Sequence, residues 1–281
     1  MKKASAYRAS AWKEWRAQMS QSSVIILVSM LIGMLSVSAI YGTVFWCLQS
    51  RSVLSFVAFG VVLLLLLFTA NLLQFYLPAW FLALVRKQHW SDVKASYGRA
   101  LAASALIILP NVLQELVSMP MNMTEEPSVV MSVIVLVVMP PVVLLVLWWT
   151  YAVSATLPFR LLDHPDRSVW QSIQDNMRMM KGYKFKLFYV DFMIMIWPIV
   201  ILYALIFIMA IIVAVIIVLS PTTSTMLLLS IVLGAILLPF VIVMSFVIYP
   251  MLHIARAQFY EDMRAELEPV VEEQPEETSN L

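Results

Sequence analysis

The chain has 281 residues, of which 62% are hydrophobic and only 12% charged, where soluble domains carry about 25% charged residues. A soluble globule of this size has too little interior to hide that much apolar surface, so the composition points to a polytopic, all-α membrane protein. The net charge of +1 carries no meaning until it is divided between the two sides of a membrane, and a single cysteine, Cys47, excludes an intramolecular disulfide and a cysteine-built zinc site.

In chain order, residues 1–22 form a basic amphipathic segment, with Lys2, Lys3, Arg8, Lys13 and Arg16 beside an apolar stripe of Trp12, Trp15 and Met19. A span needs roughly 20 apolar residues to cross about 30 Å of hydrocarbon. Six runs qualify, at 23–47, 53–79, 99–119, 128–156, 187–218 and 225–250. The first carries "SVSA" at 36–39, which looks like a signal-cleavage site, but its apolar character continues through Phe45 and suits a retained span. The fifth is too long for a straight crossing and is expected to tilt, to kink at Pro198 or to begin among the headgroups. Pro110, the pair Pro140 and Pro141, Pro198 and Pro239 fall mid-span, where each removes a backbone hydrogen bond. The six runs make up a transmembrane domain over 23–264. From 265 to 281 the chain is acidic and contains proline ("ELEPVVEEQPEETSNL" from Glu266), the composition of a disordered tail.

Every basic residue except Arg51 falls in the N-terminal segment, the second and fourth connections or the C-terminal segment. By the positive-inside rule both termini are cytoplasmic. Two of these basic connections share a pattern. "LPAWFLALVRKQHW" (77–90) and "LPFRLLDHPDRSVW" (157–170) each open with Leu-Pro and reach tryptophan twelve residues after the proline. Beyond them Trp90, Val93 and Tyr97 match Trp170, Ile173 and Met177, the spacing already seen in Trp12, Trp15 and Met19. That periodicity predicts short amphipathic helices lying along the cytoplasmic interface, tryptophan at headgroup depth. The chain therefore resolves into three units, each an interfacial helix followed by a transmembrane hairpin.

Four groups of residues are candidates for chemistry. Asp163, His164 and Asp166, joined by His89 or His253, contain acid–base and metal-binding groups. Each also has a structural job: Pro165 ends one helix, and Asp166 caps a helix expected from Arg167 to Lys181 that stops at Gly182. The structural reading is preferred, so no catalytic, cofactor or metal residue is assigned. "MKGYKFKLF" (180–188) interleaves Lys181, Lys184 and Lys186 with Tyr183, Phe185 and Phe188, a pattern that suits anionic lipid headgroups. With Trp90 and Trp170 these lysines form the candidate headgroup contact. Inside the spans, Asn71 and Gln74 of the second, and Asn111, Gln114 and Glu115 of the third, form a candidate intramembrane polar site. They serve either helix–helix hydrogen bonding or a cavity for a solute or lipid. Asp191 is a further charge near the inner end of the fifth span. Met119, Met121 and Met123 alternate beside two glutamates in a manner compatible with a soft metal, but methionine is abundant throughout the chain and no metal is assigned.

The run "LLDHPDRSVWQSIQDNMRMMKGYKFKLFYVDFMIMIW" (161–197) resembles the bacterial integral membrane family catalogued as domain of unknown function 975. The matching features are Asp163, Pro165 and Asp166; Met180, Lys181 and Gly182; and Leu187, Phe188 and Trp197. "YP" (249–250) and "QFYEDM" (258–263) are similar to that family's C-terminal pattern. One departure is "FMIMIW", where the family has serine and glycine before the tryptophan. The resemblance implies a multi-pass protein of the bacterial cell membrane, similar to the membrane portions of some glycerophosphodiester phosphodiesterases, and it carries no catalytic residues with it. The expected function is a non-enzymatic membrane scaffold or accessory subunit with anionic lipid contacts and a membrane-protein partner, without cofactor or nucleic acid. The alternative is a permease-like transporter of a small solute or lipid; a membrane-embedded hydrolase ranks third.

Overall fold

The computed structural model describes residues 1–50, 52–93, 97–107, 129–219 and 237–267. Among them every regular element is helical and none is a strand. In order these are α1 (Ala4–Ala17), α2 (Met19–Ser50), α3 (Val53–Val85), a 3-10 turn (Trp90–Asp92), α4 (97–107), α5 (Val129–Trp149), a π turn (Thr150–Ser154), α6 (Leu157–Asp163), α7 (Val169–Met179), α8 (Lys184–Leu219), α9 (237–243), a second π turn (Met244–Ile248) and α10 (Tyr249–Leu267).

Four stretches are long and apolar enough to cross a membrane: Met19–Trp46, Val137–Asp163, Lys184–Val213 and Leu237–Leu267. In the first three only 11–12% of the apolar window is buried. Leu31, Met34, Leu35, Tyr203 and Phe207 stand outward, which in water would be an untenable apolar surface. α3 runs 33 residues without a charged side chain and continues straight through Pro78. Helices α5 and α8 likewise run through Pro140, Pro141 and Pro198, so these prolines end no helix. The fifth apolar run lies in α8, which begins at Lys184, among basic residues.

The well-packed core lies at one end of these helices, where most of the basic residues gather. We call it the cap. Tyr7, Ala11 and Trp15 of α1 meet Phe81, Leu82 and Leu84 of α3, Phe159 of α6, Leu187 and Val190 of α8, and Ile254, Phe259, Tyr260 and Met263 of α10. These are the interior of a small soluble-like domain, built from pieces far apart in sequence. α1 is held by its buried tyrosine and tryptophan; Trp15 Nε1 donates to the Phe246 carbonyl at 3.0 Å, one of the groups in the second π turn.

Three local expectations need correcting. The helix after the "DHPD" stretch is capped by Ser168, not Asp166, and spans Val169–Met179. Ser168 and Gln171 form a reciprocal capping box: the Gln171 N–H donates to Ser168 Oγ at 3.2 Å and the Ser168 N–H to Gln171 Oε1 at 3.1 Å. The stripe through Trp90, Val93 and Tyr97 does not lie on one helix. Trp90 begins a 3-10 turn, Val93 is extended, and the residues described from 97 are helical. Trp90 is half-buried and packs edge-on against Trp80, ring centroids 5.4 Å apart. Finally, α10 continues to Leu267, two residues past the expected start of the acidic tail at 265. Residues 268–281 lie outside the described residues.

Gly182 takes φ +89° just beyond α7, the left-handed conformation for which glycine is suited. α3 ends in the same geometry without glycine. Lys87 has φ +58°, while the Gln88 N–H reaches back to the Ala83 carbonyl at 2.9 Å and the Lys87 N–H to Leu84 at 2.9 Å.

Candidate functional site

The cap is organised around Asp163, the aspartate that opens "DHPD". It is the last residue of α6 and its side chain is 5% exposed. Arg86, just past the end of α3, donates Nη1 to Oδ1 at 2.7 Å and Nη2 to Oδ2 at 3.0 Å, a bidentate fork. Tyr260 of α10 donates its hydroxyl to Oδ2 at 2.7 Å, and Arg264 lies 3.2 Å from the same oxygen. Arg86 also donates Nε to Glu261 at 2.8 Å. Burial alone would weaken the charge on Arg86, but Asp163 and Glu261 more than offset it and hold the guanidinium above its ordinary value. One carboxylate thus ties together the exits of three helices. Both of its oxygens are engaged by these partners, Oδ2 by three of them, which favours a structural role over general-base work or metal binding.

The rest of the "DHPD" loop is pinned from α4. Arg99 donates to the carbonyls of His164 at 2.9 Å and Pro165 at 2.6 Å. Asp166 is exposed. Of the other histidines, His89 places Nδ1 2.7 Å from Ser91 Oγ, and His253 stacks on Phe81 with the rings 7° from parallel. No group of three or more metal-ligating side chains occurs among the described residues.

Asp191, flagged as a charge near a span end, finds its partner in α10. Arg256 Nε lies 3.1 Å from Oδ1 and Nη2 2.7 Å from Oδ2, and Asp191 is 5% exposed. Asn176 of α7 does a different job. Its amide donates to the carbonyls of Ala152 at 3.1 Å and Val153 at 3.2 Å, and it accepts from the Thr156 hydroxyl at 2.9 Å. The π turn disturbs the regular helical ladder there, and a buried carbonyl without a donor is costly. Asn176 supplies the donors. At the N-terminus Tyr7 donates to Asp262 at 2.9 Å, and burial together with that acceptor pushes its hydroxyl up.

Around this interior runs an outward row of basic and aromatic residues. Phe185 is 87% exposed between Lys184 and Lys186, and Trp170 is 62% exposed at the start of α7. Lys184 Nζ sits 4.7 Å from the Trp148 ring centroid. Neither Lys181 nor Lys186 forms an ion pair with a described carboxylate, although the cap's arginines are largely taken. The structure therefore gathers Lys181, Lys184 and Lys186 and sets Trp170 on the next helix, while Trp90 packs inward on Trp80. Asn71 and Gln74 fall within α3, their side chains not described. Asn111, Gln114 and Glu115 lie outside the described residues, as do Pro110 and the methionine cluster at 119–123, while Pro239 falls within α9.

The residues that sequence reasoning did not connect are Arg86, Tyr260, Arg256 and Asn176. For Ser168 a signal was present, the Ser-x-x-Gln of a capping box at 168–171. For the others none was, because their partners lie 20 to 175 residues away. Comparison of the chain with family models, with curated proteins and with solved structures returns no match.

Proposed function

We propose that the protein is a non-enzymatic scaffold or accessory subunit of the bacterial cytoplasmic membrane, of the type implied by its likeness to domain of unknown function 975. In this reading its six spans form three hairpins, both termini are cytoplasmic, and the cap rests against anionic headgroups. The observation that carries the reading is the division of labour among the charges. Asp163, Asp191, Arg86 and Arg256 are spent inside the cap, whereas Lys181, Phe185 and Trp170 are exposed and Lys186, next to Phe185, is half-buried. Lysines with exposed aromatics suit a negatively charged interface, each lysine contributing about 1 kcal/mol near such a surface. The committed state of the Asp163 carboxylate supports a structural role over hydrolysis.

The test is lipid retention. Full-length protein is purified with bound lipid and offered phosphatidylglycerol or phosphatidylcholine, and occupancy is read by native mass spectrometry. Reversing both charges (Lys181→Glu with Lys186→Glu) should reduce phosphatidylglycerol occupancy at least about tenfold and leave phosphatidylcholine unchanged. Equal retention of both lipids by wild type and variant would refute the headgroup contact. Hydrolysis of a phosphodiester by the purified protein, lost in Asp163→Ala, would refute the non-enzymatic reading.

A further inference from the structure

Next to the cap, between α2, α3, α8 and the π turn that precedes α10, lies a cavity of about 480 Å³. That is within the range of about 300–1,000 Å³ usual for small-molecule sites. Its wall is formed by Ile26, Met30, Leu77, Met195, Met244 and Ile248, and no charged side chain lines it. His253 also lines it, at the cap-ward end. This ring is 5% exposed, and neither of its nitrogens has a hydrogen-bond partner. It is clamped by Phe81 lying parallel at 5.4 Å and Tyr249 edge-on at 4.6 Å, so it cannot swing away to find one.

A buried imidazole with both nitrogens unsatisfied is expensive, and native structures keep such groups where something else supplies the bond. The chain itself does not: Ser29 Oγ donates to its own helix at Ile25 at 2.8 Å, and Arg256, one turn further along α10, is held by Asp191. The cavity rim includes Met30 and Tyr249, 38% and 41% exposed, on segments apolar enough to cross a membrane. Entry is therefore from hydrocarbon. The π turn Met244–Ile248 forms part of the wall, a backbone irregularity that recurs at ligand sites.

We propose that this cavity binds an uncharged amphiphile with a hydroxyl head, whose hydroxyl hydrogen-bonds His253 while its chain lies along the methionine-rich wall. A neutral lipid alcohol fits, because imidazole offers both a donor and an acceptor, whereas a charged headgroup would meet no counter-charge in the lining. Such a hydroxyl can come from a diacylglycerol or from an isoprenoid alcohol. The site is separate from the lysine belt, so loss of phosphatidylglycerol binding in the lysine variants leaves it intact.

Full-length protein stripped of lipid in detergent is titrated with dioleoylglycerol, farnesol and dioleoylphosphatidylglycerol, and binding is read by native mass spectrometry. One equivalent of dioleoylglycerol or farnesol should bind, the better of the two naming the source, and phosphatidylglycerol should not compete. His253→Phe, which keeps the stack on Phe81, should weaken binding about tenfold, as expected for one lost hydrogen bond, without lowering thermal stability. Ser29→Leu fills the cavity from α2 without touching the histidine and should weaken binding by a similar factor; it decides the matter if His253→Phe fails to fold. Binding of neither neutral probe, competition by phosphatidylglycerol, or unchanged affinity in Ser29→Leu would overturn the proposal.

Discussion

Removing the Asp163 carboxylate should loosen the cap while leaving the apolar spans in place. In Asp163→Ala three partners lose an acceptor, with unequal consequences. Tyr260 is fully buried, so its O–H loses its acceptor at a cost of about 1–3 kcal/mol, while its oxygen keeps Arg160. Arg86 keeps Glu261, 2.6 Å away, and Arg264, 39% exposed, can turn to solvent. A fully buried pair broken on one side costs about 3–5 kcal/mol; with two of three partners rescued, the expected loss is about 2–4 kcal/mol. Hydrogen exchange in detergent reads it directly, because the α6 and α10 amides should lose protection by that amount while the α8 amides beyond Trp197 keep theirs. A double-mutant cycle sharpens the test. Tyr260→Phe alone should cost about 1.5–3 kcal/mol, the worth of a hydrogen bond to a charged acceptor, but clearly less when added to Asp163→Ala, where only the contact with Arg160 remains to be lost. Protection unchanged within about 0.5 kcal/mol, or losses that simply add, would refute the claim that this carboxylate organises the cap.

Two further substitutions probe the local backbone. Lys87→Gly should stabilise the end of α3 by about 1 kcal/mol, because lysine pays a left-handed penalty at φ +58° that glycine does not; the amide protection of Gln88 should rise accordingly, and a fall would contradict the argument. Asn176→Leu removes both donors that serve the π turn at 150–154 and should cost about 2–4 kcal/mol, with increased exchange confined to α7 and residues 150–156. An Asn176→Asp variant, which keeps the acceptor but loses the donors, should be similarly destabilised.

How much was legible in the sequence follows from where each signal resides. Long apolar helices announce themselves, because the composition of 20 or so consecutive residues is the whole signal a membrane requires. Helices α2 and α8 begin and end within about four residues of the expected runs, whereas α3 begins at Val53 as expected but continues to Val85, past the expected end at 79. Gly182 was equally readable, since glycine adopts its left-handed φ without strain. Asp166 was misplaced as a cap by two positions because the turn after Pro165 offers two capping residues, and only the Gln171 side chain selects Ser168. Asp163 looked like turn punctuation because its meaning depends on Arg86 and Tyr260, 77 and 97 residues away. The likeness between 77–90 and 157–170 located two helix exits correctly. It could not show that the exits bind one another, with an arginine from the first and an aspartate from the second. Trp90 and Trp170 match in spacing yet differ in fate, one packed on Trp80 and the other outward, since periodicity specifies a face and not what occupies it.

In the proposed topology the cap and its lysine belt face the cytoplasm, with the chain returning there after each of three hairpins. Site-directed labelling distinguishes this arrangement from its inverse. In a Cys47→Ser background, Gln174→Cys, on the exposed side of α7, and Gln49→Cys, at the far end of α2, are each treated with a membrane-impermeant maleimide on intact cells and again after permeabilisation. The position 49 variant should react on intact cells and the position 174 variant only after permeabilisation. Labelling of the position 174 variant from outside, with the position 49 variant protected, would invert the topology and with it the headgroup argument.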